Sequence, residues 1–442
     1  MQKKNCIQLF ILSCLFLTTP SHAETLLELY NLAELNDPSL KAVNAERLAV
    51  LEKQPQARAL LRPQLVVGAT AAETWQTEHW PLGGNEVENT NLGYSVGIDH
   101  PLYRRDRNIA VTQAEIQIQE MTARYESERQ ALMEKVATRY FDVLAAHDSI
   151  KFNQGAKEAF KRQWDQAQQR FEVGLIAITD VQEAKAGYDL AVADEIQSKN
   201  QLDNTREALR EITGHYHEGL ATLQEEIPLI VPEPADVHVW TTIALENNPL
   251  IIATQHTLAQ AQQEIERQRA ALLPTVDLVG RHQYTDVIRG EETFGGVDNR
   301  LSVQLNYSLY EGGARRSRIR EAQQRYTQVQ YQLEQQRRTI QSRTHSTYLN
   351  VLSGISRVKA LKQALMSTTT ALEAVQTGFE VGTRTSIDVV NAQRDLLSAQ
   401  RNLSTARYDY LVNKLRLRQA AGIITAEDLG GVGQLLMSGK KN

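Results

Sequence analysis

The sequence predicts a mixed α+β membrane protein in which very long helices follow pairs of strands. Three observations predict this fold. Two long stretches of the chain are rich in helix-forming residues and contain no proline, several shorter segments alternate apolar with polar residues, and the whole pattern occurs twice. Alternation over about ten residues is typical of a membrane β-barrel strand, whereas helices of such length are unusual in a globular domain.

Residues 1–23 are predicted to be a secretory signal peptide. Lys3 and Lys4 form a short basic region, an apolar run follows from Ile7 to Leu17, and Ala23 ends a small-residue cleavage signal. An apolar run of this length is too short to cross a membrane as a helix. The protein is therefore expected to be exported.

Composition argues against several classes of function. Both cysteines, Cys6 and Cys14, lie in the predicted signal peptide, so the exported chain would contain no thiol. The net charge of -5 argues against nucleic acid as a partner. No His-Glu-x-x-His motif, phosphate-binding glycine loop or nucleophile motif occurs, and His215 and His217 fit a solvated loop better than a metal site. We expect no catalytic residues, no cofactor and no metal site.

An internal duplication organises the chain. Asn36-Asp37-Pro38 is matched 211 residues later by Asn247-Asn248-Pro249, and Phe171-Glu172-Val173-Gly174 is matched 208 residues later by Phe379-Glu380-Val381-Gly382. The sequence therefore predicts two structural repeats, 24–218 and 237–424, joined by a proline-containing linker at 219–236. The C-terminal tail, 425–442, is small and polar and is predicted to be disordered.

Within each repeat the predicted order is helix, strand, strand, long helix, turn, helix. No proline occurs between Pro101 and Pro228 or after Pro274, so helices are predicted over about 104–171 and 314–379. Each would be on the order of 100 Å long, which favours a coiled-coil-like assembly. Tip turns are predicted at 173–180 and 381–388, where a glycine can end one helix and a Thr or Asp side chain can cap the next.

Four strands are predicted per chain, at about 64–77, 90–103, 275–288 and 298–310. The clearest is Leu301–Leu309, in which every odd position is apolar and every even position is polar. A half-buried sheet of a soluble protein is the alternative, but the signal peptide and the long helices favour a membrane barrel. Since four strands cannot close a barrel, the barrel must be shared between subunits, with eight strands from two copies or twelve from three.

The tip turns carry a resemblance to a known family. The segments Arg170-Phe171-Glu172-Val173-Gly174-Leu175-Ile176-Ala177-Ile178-Thr179-Asp180-Val181 and Val381-Gly382-Thr383-Arg384-Thr385-Ser386-Ile387-Asp388-Val389 resemble the TolC family of outer-membrane efflux and type I secretion channels. The resemblance covers nearly the whole chain after residue 23.

The resemblance implies a homotrimer with a twelve-stranded β-barrel in outer-membrane lipid, continued by a twelve-helix α-helical barrel through the periplasm. It implies a channel-tunnel rather than an enzyme, in a tripartite efflux pump or a type I secretion system. The implied partners are a periplasmic adaptor protein and an inner-membrane pump of the RND or ABC type. The transported substrate is not indicated.

The resemblance also implies roles for individual tip residues. Asp388 and Asn391 would line the constriction of the tunnel, where the family's best-studied member carries acidic residues at both positions; a trimer of this chain would present three carboxylates there. Without the resemblance, Asp388 fits an ordinary helix N-terminal acid.

Arg384 would latch the closed state by bonding Thr179 and Asp180. Phe379 stands where a tyrosine is frequent in the family, so the closed state is expected to have fewer hydrogen bonds.

The adaptor would contact both turns, at Val173, Gly174, Leu175, Val381, Gly382 and Thr383. Two other functions remain as alternatives. A soluble periplasmic scaffold would keep the long helices without lipid-facing strands, and a secreted hydrolase has no supporting motif.

Overall fold

The structure is a computed structural model and describes residues 23–80, 83–217 and 219–437. Residues 1–22 of the predicted signal peptide lie outside the described residues, as do residues 438–442 of the predicted tail.

Both halves have the predicted order of elements. The first half consists of α1 (Leu26–Asn36), α2 (Pro38–Leu51), α3 (Lys53–Ala59), β1 (Gln64–Trp80), β2 (Gly83–Tyr103), α4 (Arg105–Glu172) and α5 (Ile178–Thr213). The remainder consists of β3 (Thr222–Leu223), α6 (Val237–Asn247), α7 (Pro249–Ala270), β4 (Thr275–Arg289), β5 (Glu292–Asn306), α8 (Ala314–Glu380), α9 (Ser386–Ala420), α10 (Ala426–Gly433) and β6 (Leu436–Met437).

The repeated Asn-Asp-Pro and Asn-Asn-Pro motifs are equivalent helix starts. The Asp37 carboxylate accepts a 2.8 Å hydrogen bond from the Leu40 amide, and the Asn248 side chain accepts a 3.0 Å bond from the Leu250 amide. Proline follows at the first helical position in both cases, where its missing N–H costs nothing. The duplicated sequence therefore reflects a duplicated local structure.

The two strand pairs form one antiparallel sheet in the order β1-β2-β4-β5. Strand β2 of the first half pairs with β4 of the second, with Tyr94 opposite Tyr284. Strands β1 and β5 are the edges, and within the described residues neither edge has a second partner. The sheet thus joins the halves but does not close on itself.

The two faces of this sheet differ in polarity. Leu65 lies opposite Ile98, Val67 opposite Val96, and Val303 opposite Leu278, so apolar side chains share one face. Several side chains of this face are exposed, namely Leu65, Val67, Ile98, Leu301, Val303 and Leu305. The opposite face carries a polar set that includes Thr70, Asn91, Ser95, Gln283, Arg281 and Arg300. The period-2 alternation therefore produces an exposed apolar face and a polar face, as a membrane barrel strand requires.

The long helices α4 and α8 contain 68 and 67 residues, which corresponds to about 100 Å each. The main core lies part-way along them, where they pack with α9 and the short N-terminal helices around Tyr140, Val351 and Leu411. The linker, residues 219–236, is hydrogen-bonded to this core, because the Tyr140 hydroxyl donates a 2.8 Å bond to the Ala221 carbonyl. The Tyr410 hydroxyl also accepts a 2.9 Å bond from the Ile230 amide.

The strand boundaries differ from the predictions. The hairpins extend further, because β1 reaches Trp80, β2 begins at Gly83 and β5 begins at Glu292. Backbone pairing continues there although the apolar alternation stops. Strand β5 ends earlier than predicted, at Asn306, so residues 307–310 lie beyond the sheet.

The prediction of a disordered tail was wrong for residues 426–437. Leu429 and Val432 of α10 are buried in the main core, and β6 pairs with β3 of the linker. His217 also differs from a solvated-loop residue, because its ring is buried and hydrogen-bonded to Thr213 and Glu24. In the described part of the chain, none of the helices is both long and apolar enough for a membrane span.

Candidate functional site: the helical tips

Each long helix ends at a glycine with a left-handed backbone. Gly174 has φ = 76° and Gly382 has φ = 80°, and residues with a Cβ rarely adopt these backbone angles. The Leu175 amide donates a 2.9 Å bond back to the Arg170 carbonyl, and the Thr383 amide donates a 2.8 Å bond to the Gly378 carbonyl. These bonds close the helix ends, and the chain reverses direction within 173–180 and 381–388, where the tip turns are predicted.

The helix that follows each turn begins with an aspartate that accepts a hydrogen bond from the N-cap amide, and at the second turn the N-cap side chain returns a bond. The Asp180 carboxylate accepts a 3.1 Å bond from the Ala177 amide. The Asp388 Oδ2 accepts 2.9 Å bonds from both the Thr385 amide and the Thr385 hydroxyl, and the Thr385 hydroxyl oxygen accepts from the Asp388 amide at 3.3 Å. Asp388 thus stabilises the start of α9, as an ordinary N-terminal acid does.

The cap also keeps Asp388 ionised. Hydrogen bonds from the Thr385 backbone and side chain, with a further contribution from the charge of Arg384, lower the pKa of Asp388 below its usual value. Both cap bonds use Oδ2, and within the described residues Oδ1 accepts none. Asn391 is exposed one helical turn further on. A charged oxygen therefore remains free at this position, so capping and an electrostatic role are compatible.

The residues of the predicted latch are not joined within one chain. Arg384 is exposed, and among the described residues its side chain has no ion pair with Asp180 or hydrogen bond to Thr179. Its backbone amide bonds the Gly378 carbonyl at 3.1 Å. A Cβ at Gly378 would lie 2.7 Å from the Arg384 Cγ, so a larger residue at position 378 would displace the Arg384 side chain. The latch stays a prediction.

Within one chain, Phe379 contacts a residue of the other helical hairpin. The Arg170 guanidinium carbon lies 4.6 Å from the centroid of the Phe379 ring, which is within the range of a cation–π interaction. The contact joins the end of α4 to the end of α8, and therefore joins the two helical hairpins. Arg170 was not singled out in the sequence, because its position beside the ring depends on how the hairpins pack.

Gln163 is a second residue that the sequence did not indicate. Its side-chain amide is buried and donates bonds to the Ser386 carbonyl, at 2.9 Å, and to the Ser386 hydroxyl, at 3.1 Å. It thereby ties α4 to the first turn of α9. Between these contacts is a cavity of about 660 Å³, which Arg162, Arg170 and Phe379 help to line.

The tip turns expose apolar side chains. Val173, Leu175 and Val381 are 70%, 73% and 71% exposed. Thr383 is also exposed. Clustered apolar side chains with this exposure are typical of a contact surface. Among the described residues, no group of three or more His, Cys, Asp or Glu side chains is arranged to hold a metal ion.

The comparisons with known proteins agree with this architecture. The family described as "Outer membrane efflux protein" matches residues 29–215 and 240–423. The chain is 34% identical to "Outer membrane protein TolC" of Escherichia coli, over 92% of this chain and 84% of that protein. It is 28% identical to "Alkaline protease secretion protein AprF" of Pseudomonas aeruginosa, over 96% of this chain and 90% of that protein.

Solved structures of outer-membrane channels have the same fold. The Campylobacter jejuni CmeC outer membrane channel aligns with a TM-score of 0.77 and 14% identity, over 93% of this chain and 89% of that one. The outer membrane protein VceC of Vibrio cholerae aligns with a TM-score of 0.74 and 18% identity, over 90% of this chain and 96% of that one.

Proposed function

The chain belongs to the outer membrane efflux protein family, the TolC family, and we propose that it is the channel-tunnel of a tripartite efflux pump or a type I secretion system. It is an outer-membrane protein and, like its relatives, an efflux or secretion channel protein. The proposal adds a trimeric tunnel, a periplasmic gate, and a pump and adaptor as partners. It assigns no catalytic role.

The observation that carries the proposal is the open sheet. Its apolar face is exposed, and its edge strands β1 and β5 have no second partner among the described residues. Unpaired strand edges are not tolerated in lipid, so pairing of β5 with β1 of the next subunit would complete a barrel. Three chains would supply twelve strands, the number that the family resemblance implies.

The helices support continuation of this barrel into the periplasm. Towards the tips each chain contributes four helices, because α4 pairs with α5 and α8 pairs with α9. Three chains would give twelve helices around a tunnel about 100 Å long. Substrates would pass through this tunnel from an inner-membrane pump of the RND or ABC type.

The gate would lie at the tips. Three Asp388 carboxylates, each with Oδ1 free and each kept ionised by its cap, would form one acidic ring beside Asn391. The ring would favour cations and bind a multivalent cation, since Coulomb attraction grows with the charge gathered there. Arg384 would reach Thr179 and Asp180 in the closed trimer.

An adaptor would contact the turns. The exposed Val173, Leu175 and Val381 side chains offer apolar area, and the backbone at Gly174 and Gly382 is accessible to a partner because neither residue has a side chain. The exposed Thr383 would be a further adaptor contact in the second turn. Bulky substitution at Gly174 or Gly382 should impair export.

Single-channel conductance of the purified protein in planar bilayers tests the channel and its gate. Wild type should give small cation-selective openings that divalent cations block, and Asp388→Ala should abolish the block. Asp180→Ala is the control, because it removes the acid that caps the helix at the other tip; it should leave the divalent block intact, although loss of this predicted partner of Arg384 should raise conductance.

Two outcomes would refute the proposal. If both variants lost the divalent block equally, the loss would come from the missing helix cap, and the proposed Asp388 ring would be rejected. A protein that never conducts and leaves the membrane in alkali without detergent would be a periplasmic scaffold.

A further inference from the structure

Arginine is concentrated where the helices meet the sheet. The helix ends and connections that adjoin the strands, residues 58–63, 104–107, 267–274 and 311–320, contain eleven arginines and no lysine. Six acidic residues lie within these segments or form ion pairs with their arginines: Asp106, Glu115, Glu264, Glu266, Asp277 and Glu311. Eleven positive against six negative charges leave an excess of five, although the whole chain carries -5. We call these eleven arginines the arginine collar.

Part of the collar is neutralised within the chain. Arg104 binds Asp277 through two bonds of 2.9 and 2.7 Å, and Arg58 lies 3.1 Å from Glu115. Arg315 and Arg318 both lie beside Glu311, at 2.8 and 3.8 Å. The charges of Arg58, Arg104, Arg315 and Arg318 are therefore used in ion pairs within the chain.

Four arginines of the collar are different. Arg62, Arg105, Arg316 and Arg320 are exposed, and within the described residues their guanidinium groups have no ion pair or hydrogen bond. Arg62 lies just before the edge strand β1, Arg105 just after β2, and Arg316 and Arg320 in the first two turns of α8. Positive charge near a helix N-terminus opposes the helix dipole, so helix stability does not explain Arg105 and Arg316.

Exposed aromatic and apolar side chains also lie where the strands end and the helices begin. Tyr103 is the last residue of β2, and Tyr307, Leu309 and Tyr310 follow the end of β5; all four are exposed, with Leu309 and Tyr310 at 85%. Tyrosine is enriched at the boundary between membrane and water. The collar therefore begins where the apolar sheet face ends.

We propose that the four unpaired arginines of the collar bind the phosphate headgroups of anionic phospholipids in the periplasmic leaflet. The guanidinium fork matches a phosphate through two parallel bonds, and an excess of positive charge attracts anionic lipid. The headgroup would lie at the arginines while the acyl chains cover the exposed Leu309 and the apolar sheet face. This inference rests on the proposed membrane barrel with its helices in the periplasm.

Lipid titration of the purified full-length protein in a nonionic detergent tests the inference, with bound lipid counted by native mass spectrometry. The probes are phosphatidylglycerol and phosphatidylcholine of the same chain length. Each arginine near an anionic surface contributes about five-fold to affinity. The double variant R316Q/R320Q should therefore lose phosphatidylglycerol affinity about 25-fold and keep its phosphatidylcholine affinity.

The variant R337Q/R357Q is the matched control, because Arg337 and Arg357 are also exposed and unpaired among the described residues but lie further along α8. It should bind phosphatidylglycerol as wild type does. Equal affinity of wild type for both lipids would overturn the inference, as would equal losses in the two double variants. Competition by inorganic phosphate at matched concentration would make the collar a general anion site and reject the lipid assignment.

Two further readouts separate this inference from the proposed function. If R316Q/R320Q dissociates the oligomer without changing lipid preference, the arginines serve subunit contact and the lipid assignment is wrong. If wild type conducts in planar bilayers but shows no lipid preference, only the lipid inference fails. If wild type does not conduct and is soluble without detergent, the proposed function itself fails.

Discussion

Removing the guanidinium of Arg170 should open the tunnel more often. Its contact with the Phe379 ring, at 4.6 Å, joins the two hairpins at the tips, and a cation–π contact at a partly exposed site contributes about 0.5–1 kcal/mol. Three such contacts in a trimer that opens in one step would contribute about 1.5–3 kcal/mol. If opening separates the two hairpins, Arg170→Gln is therefore expected to raise the open-to-closed ratio roughly 10- to 150-fold.

The measurement is the open probability of single channels in planar bilayers. Arg162→Gln is the matched control, because Arg162 lines the same cavity but has no cation–π contact with a ring among the described residues. Phe379→Leu should act like Arg170→Gln, and the double variant should add little, since both changes remove one interaction. Equal open probabilities for Arg170→Gln, Arg162→Gln and wild type would refute the reasoning, and additive effects in the double variant would show that the residues act separately.

Three further outcomes are expected. Arg384→Ala should raise conductance if Arg384 latches the closed state, and unchanged conductance would contradict the latch. Gly422→Ala should destabilise the fold by at least ~2 kcal/mol and lower the melting temperature by several degrees. The reason is that Gly422 has φ = 76° and a Cβ would lie 2.6 Å from the Asn247 carbonyl oxygen. The control Gly431→Ala should leave the melting temperature unchanged, because a Cβ there meets nothing within 4 Å. Divalent block should be lost as the pH falls, because protonation of Asp388 removes the charge of the ring, and the hydrogen bonds from Thr385 that lower the pKa of this carboxyl move the loss towards lower pH; block that persists unchanged in acid strong enough to protonate every carboxylate would contradict this.

Patterns with a local physical cause were predictable from the sequence. The long helices follow from stretches without proline, and their ends follow from Gly174 and Gly382, which have the left-handed backbone that favours glycine. The strands follow from an alternation that the sheet confirms, with apolar residues such as Val303 on one face. In each case the decisive residues are neighbours in the sequence.

Features that depend on packing between distant segments were missed. Residues 426–433 are rich in glycine and have little helix propensity, yet α10 forms because Leu429 is completely buried against the N-terminal segment. Strand pairing near Gly83 and Glu292 continues beyond the apolar alternation, since backbone hydrogen bonds do not require apolar side chains. Arg170 and Gln163 were missed for the same reason, because their partners lie more than 200 residues away.

The two tip acids show why local geometry alone does not identify a gate. Asp180 and Asp388 are separated by the repeat distance of 208 residues, and both cap the helix that follows their turn. They differ in their surroundings, because Asp388 also accepts a bond from the Thr385 hydroxyl and is close enough to Arg384 for its charge to contribute to the lowered pKa. A carboxylate so stabilised stays charged at little cost, but the same bonds would suit a purely structural cap. What separates the roles is whether three copies converge on one axis, so the block by divalent cations, measured in Asp388→Ala against Asp180→Ala, carries information that the single chain does not.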